Sequence, residues 1–142
     1  VLNALIYFGK LDKDAALREL NKFSIYVNKG ISLDILAQRI AREYEKYVSV
    51  DFDIANLEFL ERAFEKVVQG GSVIIYARPG SLSHAKLLYR IRVKKKRGQG
   101  FKVSARILDP MTDKGKDVSL REVLEDLITP QGFSQVIVLT KR

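Results

Sequence analysis

Apolar residues in the first half of the chain recur at the three- and four-residue spacing of amphipathic helices. This spacing predicts four helices, each with one side turned towards a core. The apolar residues of these sides are, helix by helix, Leu2, Leu5, Ile6 and Phe8, then Ala15, Ala16, Leu17 and Leu20, then Ile35, Leu36, Ile40, Ala41 and Tyr44, and finally Leu57, Leu60, Ala63, Phe64 and Val67. A short strand is expected over 47–52, between the third and fourth helices.

Residues with the properties of helix caps separate these predicted helices. Gly9 suits the C-terminal end of the first helix, because glycine readily adopts the left-handed conformation found there. The side chains of Asp12, Ser32 and Asp53 can accept hydrogen bonds from free backbone N–H groups. We therefore expect them to begin the second, third and fourth helices. The Gly-Gly pair at 70–71 is expected to end the fourth.

The second half of the chain changes to the two-residue alternation of strands. Strands are predicted over 72–78, 84–93, 101–108 and 134–140, and a basic, Gly-containing turn at 94–100 joins the second and third into a long antiparallel hairpin. Strict alternation puts one face of this hairpin in the core, namely Ala85, Leu87, Tyr89, Ile91, Val93, Phe101, Val103, Ala105 and Ile107. Ser119 and Glu122 fit a capping box for a short helix that ends at Leu127. Helices followed by an antiparallel sheet predict a single α+β domain over 1–142.

The composition excludes several classes of site. With no Cys and one His among 142 residues, disulfides and thiolate metal sites are ruled out, and we predict neither a bound metal nor a cofactor. No apolar run reaches the ~20 residues of a membrane-spanning helix. No segment has the anatomy of a signal peptide, so we expect a cytoplasmic protein. The absence of Cys and the 30% of charged residues resemble the composition of thermophile proteins.

Positive charge is concentrated in the middle of the chain. The net charge is +8, yet residues 66–108 hold 11 basic residues and no acidic one. Seven of these lie at the end of the predicted hairpin, namely Arg90, Arg92, Lys94, Lys95, Lys96, Arg97 and Lys102. Such a hairpin can bind nucleic acid or an acidic protein, or it can be a solvated turn that protects the sheet from association. Stacking of bases on Tyr89 or Phe101 is not expected, because alternation places both rings in the core.

A series of segments follows a particular order along the chain. The segments are VLNALIYFG, DAALREL and KGISLDILAQRI in the first half, and GGSVIIYA, SHAKLLYRI, ARILDPMTDKG, VSLREVLEDL and QVIVLT in the second. Their order and spacing resemble those of the papain-like cysteine peptidases that process bacteriocins at a double-glycine leader. The resemblance implies a papain-like fold, in which N-terminal helices pack on an antiparallel sheet.

The resemblance also implies a catalytic pair. His84 would be the general base that deprotonates a thiol, and Asp109 would orient its imidazole. The nucleophilic Cys that the family carries at the start of its first helix is absent, so the chain is a member that lacks it or one cut before it, and as numbered it is predicted not to hydrolyse peptides. Strict alternation puts His84 with Lys86 on the polar face but Asp109 with Ile107 on the apolar face. Their contact therefore needs a β-bulge or an irregular strand end.

Three functions remain open at this point. The chain is a cysteine peptidase whose thiol lies before Val1, a peptidase-like domain that binds an extended peptide without cleaving it, or a nucleic-acid-associated protein that uses the hairpin. The resemblance favours a peptide or protein as partner. The charge distribution favours nucleic acid or an acidic protein.

Overall fold

The computed structural model describes residues 2–20, 32–78, 85–98, 100–108 and 115–142. These residues form five α-helices and eight β-strands. The helices are α1 (Leu2–Tyr7), α2 (Lys13–Leu20), α3 (Leu33–Glu43), α4 (Leu57–Gln69) and α5 (Leu120–Leu127). The strands are β1 (Val48–Ile54), β2 (Ser72–Tyr76), β3 (Lys86–Lys95), β4 (Phe101–Leu108), β5 (Gly115–Ser119), β6 (Ile128–Thr129), β7 (Gly132–Phe133) and β8 (Gln135–Lys141).

Six of the strands form one antiparallel sheet in the order β1-β8-β2-β3-β4-β5, and β6 pairs separately with β7. Both β1 and β2 pair with β8, so α4 connects two parallel strands across the strand that lies between them. The pairing of β3 with β4 confirms the predicted hairpin, although β3 covers 86–95 instead of 84–93. The α+β prediction is confirmed, whereas β5 and the β6–β7 hairpin have no counterpart in the predicted elements.

The sheet has a hydrophobic core on each of its faces. On one face, α1 and α3 bring Leu5 and Ile40 against Ile137 of β8. On the other face, α4 and α5 cover the sheet, and Leu60 of α4 joins the same core as Val138. Because both faces are covered, β2 is buried along its whole length, which explains why its residues after Ser72 are all hydrophobic. Within the described part of the chain, no helix combines the length and the apolarity needed to cross a membrane.

Several predicted helix ends are confirmed. The Asp12 carboxylate accepts a hydrogen bond from the N–H of Ala15 at 2.7 Å, and the Ser119 hydroxyl accepts one from the N–H of Glu122 at 3.2 Å. Gly70 ends α4 with a φ of +88°, a conformation that residues with side chains rarely adopt. These ends depend on local chemistry, which the sequence displays directly.

The predicted cap of α4 is wrong. Asp53 lies within β1, where it pairs with Val136 of β8. Asn56 caps α4 instead, because its side-chain oxygen accepts a hydrogen bond from the N–H of Phe59 at 2.8 Å. Strand pairing thus keeps the backbone extended beyond Asp53 and moves the start of the helix.

The predicted buried sides of α3 and α4 are also partly wrong. Ile35 is 52% exposed, Leu57 is 74% exposed, and Ala41 is exposed as well. In α3 the buried residues include Leu33 and Ala37 instead. The helix carries apolar residues on more than one side, so apolarity alone does not identify the side that faces the sheet.

Candidate nucleic-acid interface

The β3–β4 hairpin carries the basic segment away from the rest of the sheet. β2 pairs with β3 only at 86–88, and β5 pairs with β4 only at 104–108. Residues 93–95 and 101–103 therefore pair only with each other. We name residues 90–102 the basic ribbon, and all seven of its Lys and Arg residues are exposed.

A register shift in β3, just before the ribbon, changes which core the odd-numbered side chains of this strand face. Between Leu88 and Arg90 this strand holds one residue more than β4, which constitutes a β-bulge. Before the bulge, Leu87 joins the core under α1 and α3, whereas after it Ile91 joins the core under α4 and α5. The prediction of one inward face along 85–93 is therefore wrong.

One face of the ribbon carries cations that lie directly opposite one another. Arg90, Arg92 and Lys94 share this face because they alternate along β3 beyond the bulge. In the register of the hairpin Arg90 pairs with Arg106, and Lys94 pairs with Lys102. Like charges placed opposite each other destabilise an antiparallel pair. Folding alone therefore gives no reason for this arrangement.

The cations of the ribbon have no acidic partner among the residues that the structure describes. Ion pairs do occur nearer the body of the sheet, where Lys86 Nζ lies 3.1 Å from Asp126 Oδ2 and Arg106 Nη1 lies 3.3 Å from Asp117 Oδ1. None of the seven basic side chains of the ribbon makes such a pair with a described residue. A positive potential thus extends from the turn along the cationic face.

The opposite face of the ribbon exposes two apolar side chains. Phe101 is 70% exposed and Val93 is 54% exposed, so the prediction that both are in the core is wrong. Phe101 pairs directly with Lys95, next to the turn that the N–H of Lys96 closes by donating to the Gly100 carbonyl at 2.7 Å. The layer that buries the base of the hairpin does not reach this turn.

A group of contacting side chains holds the base of the ribbon on its cationic face. Arg106 Nε donates to the Tyr89 hydroxyl at 3.2 Å, and the Tyr89 ring packs on the Tyr7 ring of α1 with centroids 5.3 Å apart. The hydrogen bonds to Tyr89 and Asp117 raise the pKa of Arg106 above its ordinary value, so this guanidinium stays charged. Gly115 lies so close that a Cβ atom there would overlap the Tyr89 hydroxyl.

The pair implied by the peptidase resemblance, His84 and Asp109, lies outside the described residues. The structure describes the paired strands next to them, since β3 begins at Lys86 and β4 ends at Leu108. In the described ranges, no three His, Asp or Glu side chains come together as a metal-binding group. Among the described residues, the ribbon is where seven exposed cations are concentrated without a described acidic partner.

Sequence reasoning identified the seven cations but not their arrangement. Counting outwards from Gly98 pairs Lys94 with Lys102, so this opposed pair was present as a signal in the sequence. The same count pairs Arg90 with Arg106. The bulge next to Leu88 gives no such signal, and it changes the register only between Leu88 and the start of β3.

Comparisons with known proteins give no independent assignment of this site. No family model matches the chain, and neither a curated protein nor a solved structure matches it. The function of the ribbon is therefore inferred from its own residues and their geometry.

Proposed function

We propose that this protein binds nucleic acid through the basic ribbon. The observation that carries the proposal is the presence of two opposed cation pairs, Arg90–Arg106 and Lys94–Lys102, on a strongly basic hairpin. The repulsion between Lys94 and Lys102 opposes folding of the hairpin, whereas the ion pair of Arg106 with Asp117 offsets part of the repulsion between Arg90 and Arg106. Phosphate groups bound between the cations would remove that repulsion, so the arrangement fits an anionic ligand.

The spacing of the cations suits a phosphate backbone. Residues two apart on one face of a strand are about 6.8 Å apart, so Arg90, Arg92 and Lys94 form a row about 14 Å long. Lys102 widens this row on the neighbouring strand. Such a row can contact several successive phosphates without reading the bases. Counterions released from the nucleic acid would then make binding strongly salt-dependent.

The test is fluorescence anisotropy of a labelled oligonucleotide, titrated with protein at several salt concentrations. The test variant is Arg92→Gln/Lys94→Gln/Lys102→Gln. The matched control is Lys13→Gln/Arg42→Gln, which removes one exposed cation from α2 and one from α3, both outside the ribbon.

We expect the ribbon variant to reduce the slope of log affinity against log salt by about 2 for a single strand, because each lost phosphate contact contributes about 0.7. The control should leave this slope unchanged, since its cations lie outside the ribbon. An equal loss of slope per removed charge in both variants, or binding that does not depend on salt, would contradict the proposal.

As a second candidate function, we propose a papain-like domain that binds an extended peptide near His84 and Asp109. The bulge in β3 supports this proposal. Because of the bulge, Leu88 and Ile107 point to the same face of the hairpin. Even-numbered residues of β3 before the bulge therefore share a face with odd-numbered residues of β4. Strict alternation raised an objection to a contact between His84 and Asp109, and that objection assumed an unbroken register, which the described strands do not have.

Leu88 and Ile107 lie on the face that α4 and α5 cover, whereas α1 packs on the opposite face. This arrangement gives no support to a nucleophile carried on α1, and the chain has no Cys. The second proposal is therefore for peptide binding and not for hydrolysis.

Binding of a labelled extended peptide that ends in Gly-Gly tests the second proposal. We expect saturable binding that His84→Ala and Asp109→Asn each weaken. Asp53→Asn is the matched control, because Asp53 is an exposed carboxylate on the distant strand β1. Peptide binding that all three variants leave intact would contradict a site at the His–Asp pair.

A further inference from the structure

The two faces of the basic ribbon carry different chemistry, and they meet at its turn. Arg90, Arg92, Lys94 and Lys102 occupy one face, and Phe101, Val93 and Lys95 are exposed on the other. The exposed Lys96 and Arg97 lie between the two faces at the turn. Resting on the proposed function, we infer that the ribbon binds single-stranded nucleic acid. The nucleic-acid strand passes around the turn of the hairpin, so that its phosphates contact the cations while one of its bases stacks on Phe101.

Among the residues that the structure describes, no hydrophobic core accounts for Phe101. It belongs to neither hydrophobic core, whereas Val103, two residues further along the same face, packs against the core under α4 and α5. A large aromatic ring that is 70% exposed loses contact area that burial would provide. An exposed ring beside cations is the combination that single-strand-binding proteins use to stack bases.

The cations nearest to Phe101 are placed to hold the phosphates of a stacked nucleotide. Lys95 lies directly opposite Phe101 in the hairpin register. Lys102 follows Phe101 in the chain and points to the other face, as alternation requires. Lys96 is held in the turn by its backbone hydrogen bond to Gly100. A nucleotide stacked on the Phe101 ring therefore has Lys95 on the same face of the ribbon and Lys102 on the opposite face.

A duplex cannot use both faces of the ribbon. The major groove admits a two-stranded β-ribbon, but the bases then meet one face, and the other face points away from the DNA. If the cations enter the groove, Phe101 contacts nothing. A duplex is also stiff, with a persistence length of about 150 base pairs, whereas a single strand bends within a few nucleotides. Only the flexible strand reaches Phe101 and the cations together.

The experiment compares oligo(dT) with a duplex of the same length by fluorescence anisotropy, using the full chain. The test variant is Phe101→Ala, and the matched control is Phe133→Ala, which removes another exposed ring, 53% exposed, from β7. We expect Phe101→Ala to weaken oligo(dT) binding by about 5- to 150-fold with an unchanged salt slope, since stacking carries no counterion release. Duplex binding should not change, and the control should behave as the unmodified protein.

A second measurement uses the absence of Trp from the chain. Phe101→Trp keeps an aromatic platform and introduces a single indole, so oligo(dT) should bind as before and quench its fluorescence. Phe133→Trp should bind equally well without quenching. Both positions are exposed, so the substitutions leave the core intact.

The outcomes separate this inference from the proposed function. If Phe101→Ala leaves oligo(dT) affinity unchanged while the ribbon variant lacking three cations still weakens it, the single-strand inference is wrong and the proposed function stands. If neither nucleic acid shows salt-dependent binding, both are wrong. If the ring is needed for anionic vesicles but not for oligo(dT), it serves a membrane surface, and the inference is overturned.

Discussion

Replacing Gly115 by Ala should destabilise the protein through one specific overlap. A Cβ atom at this position would overlap the Tyr89 hydroxyl and lie 3.2 Å from Arg106 Nε. The Tyr89 ring cannot simply turn away, because it packs on Tyr7 and accepts the hydrogen bond from Arg106. Overpacking of this kind costs about 1–3 kcal/mol. Gly115→Ala also makes the unfolded chain less flexible, which stabilises the fold by about 0.4–1 kcal/mol.

The net effect of Gly115→Ala is therefore a loss of about 1–2 kcal/mol in the free energy of unfolding. The sign should reverse when the hydroxyl is absent. In the Tyr89→Phe background the overlap is gone, and Gly115 has no positive φ that Ala would resist. Gly115→Ala should then be neutral, or stabilising by up to about 1 kcal/mol. Tyr89→Phe alone should cost about 1 kcal/mol through the lost hydrogen bond.

Urea unfolding followed by circular dichroism, on the four proteins of this double-mutant cycle, measures the coupling directly. A cost of Gly115→Ala that is the same in both backgrounds would refute the overlap as its cause. In that case the close approach of Gly115 to Tyr89 would not affect the free energy of unfolding, and other groups would hold the ribbon to the rest of the sheet.

Three further predictions concern the body of the domain. Asn56→Ala should lower the free energy of unfolding by about 1 kcal/mol through loss of a helix cap, whereas Asp53→Ala should cost clearly less; thermal unfolding of both compares the two positions. Leu88→Ala should cost about 2–5 kcal/mol, because this side chain is fully buried in the core, and urea unfolding measures the loss. The hydrogen bond from Ser32 is the main cause that lowers the pKa of Asp34. The Asp34 carboxylate therefore stabilises the fold above the ordinary pKa of an Asp, and this stabilisation is lost as the pH falls through the lowered pKa. Ser32→Ala should move the pKa of Asp34 back towards 3.8 in an NMR titration of its carboxyl group.

Local periodicity was sufficient to predict most of the elements. β4 covers 101–108 as predicted, and α2 follows the predicted cap Asp12. The cations of the ribbon could be found in the same way, because they are close together in the sequence. What these features share is that neighbouring residues alone determine them.

Packing between distant segments determined the start of α4, the exposure of Phe101 and the position of the bulge, none of which local periodicity predicts. Asp53 and Asn56 are both good caps, and only the pairing of β1 with β8 excludes the first. Phe101 continues an alternation that is buried at Ala105, but the sequence does not tell how far the covering layer reaches. The bulge beside Leu88 likewise depends on how β3 fits between two neighbouring strands.

The position of β8 between β1 and β2 has a consequence for synthesis of the chain on the ribosome. β8 begins 59 residues after β2 ends, and until then β1 lacks the strand it pairs with and β2 can pair only with β3. At about 5–20 residues per second, translation leaves the edge of β2 that faces β8 open for roughly 3–12 s, and the edge of β1 open for longer. The backbone groups of β2 on that edge therefore stay unpaired during the interval, and chaperones that bind unpaired apolar strands can act on the nascent chain before the sheet closes.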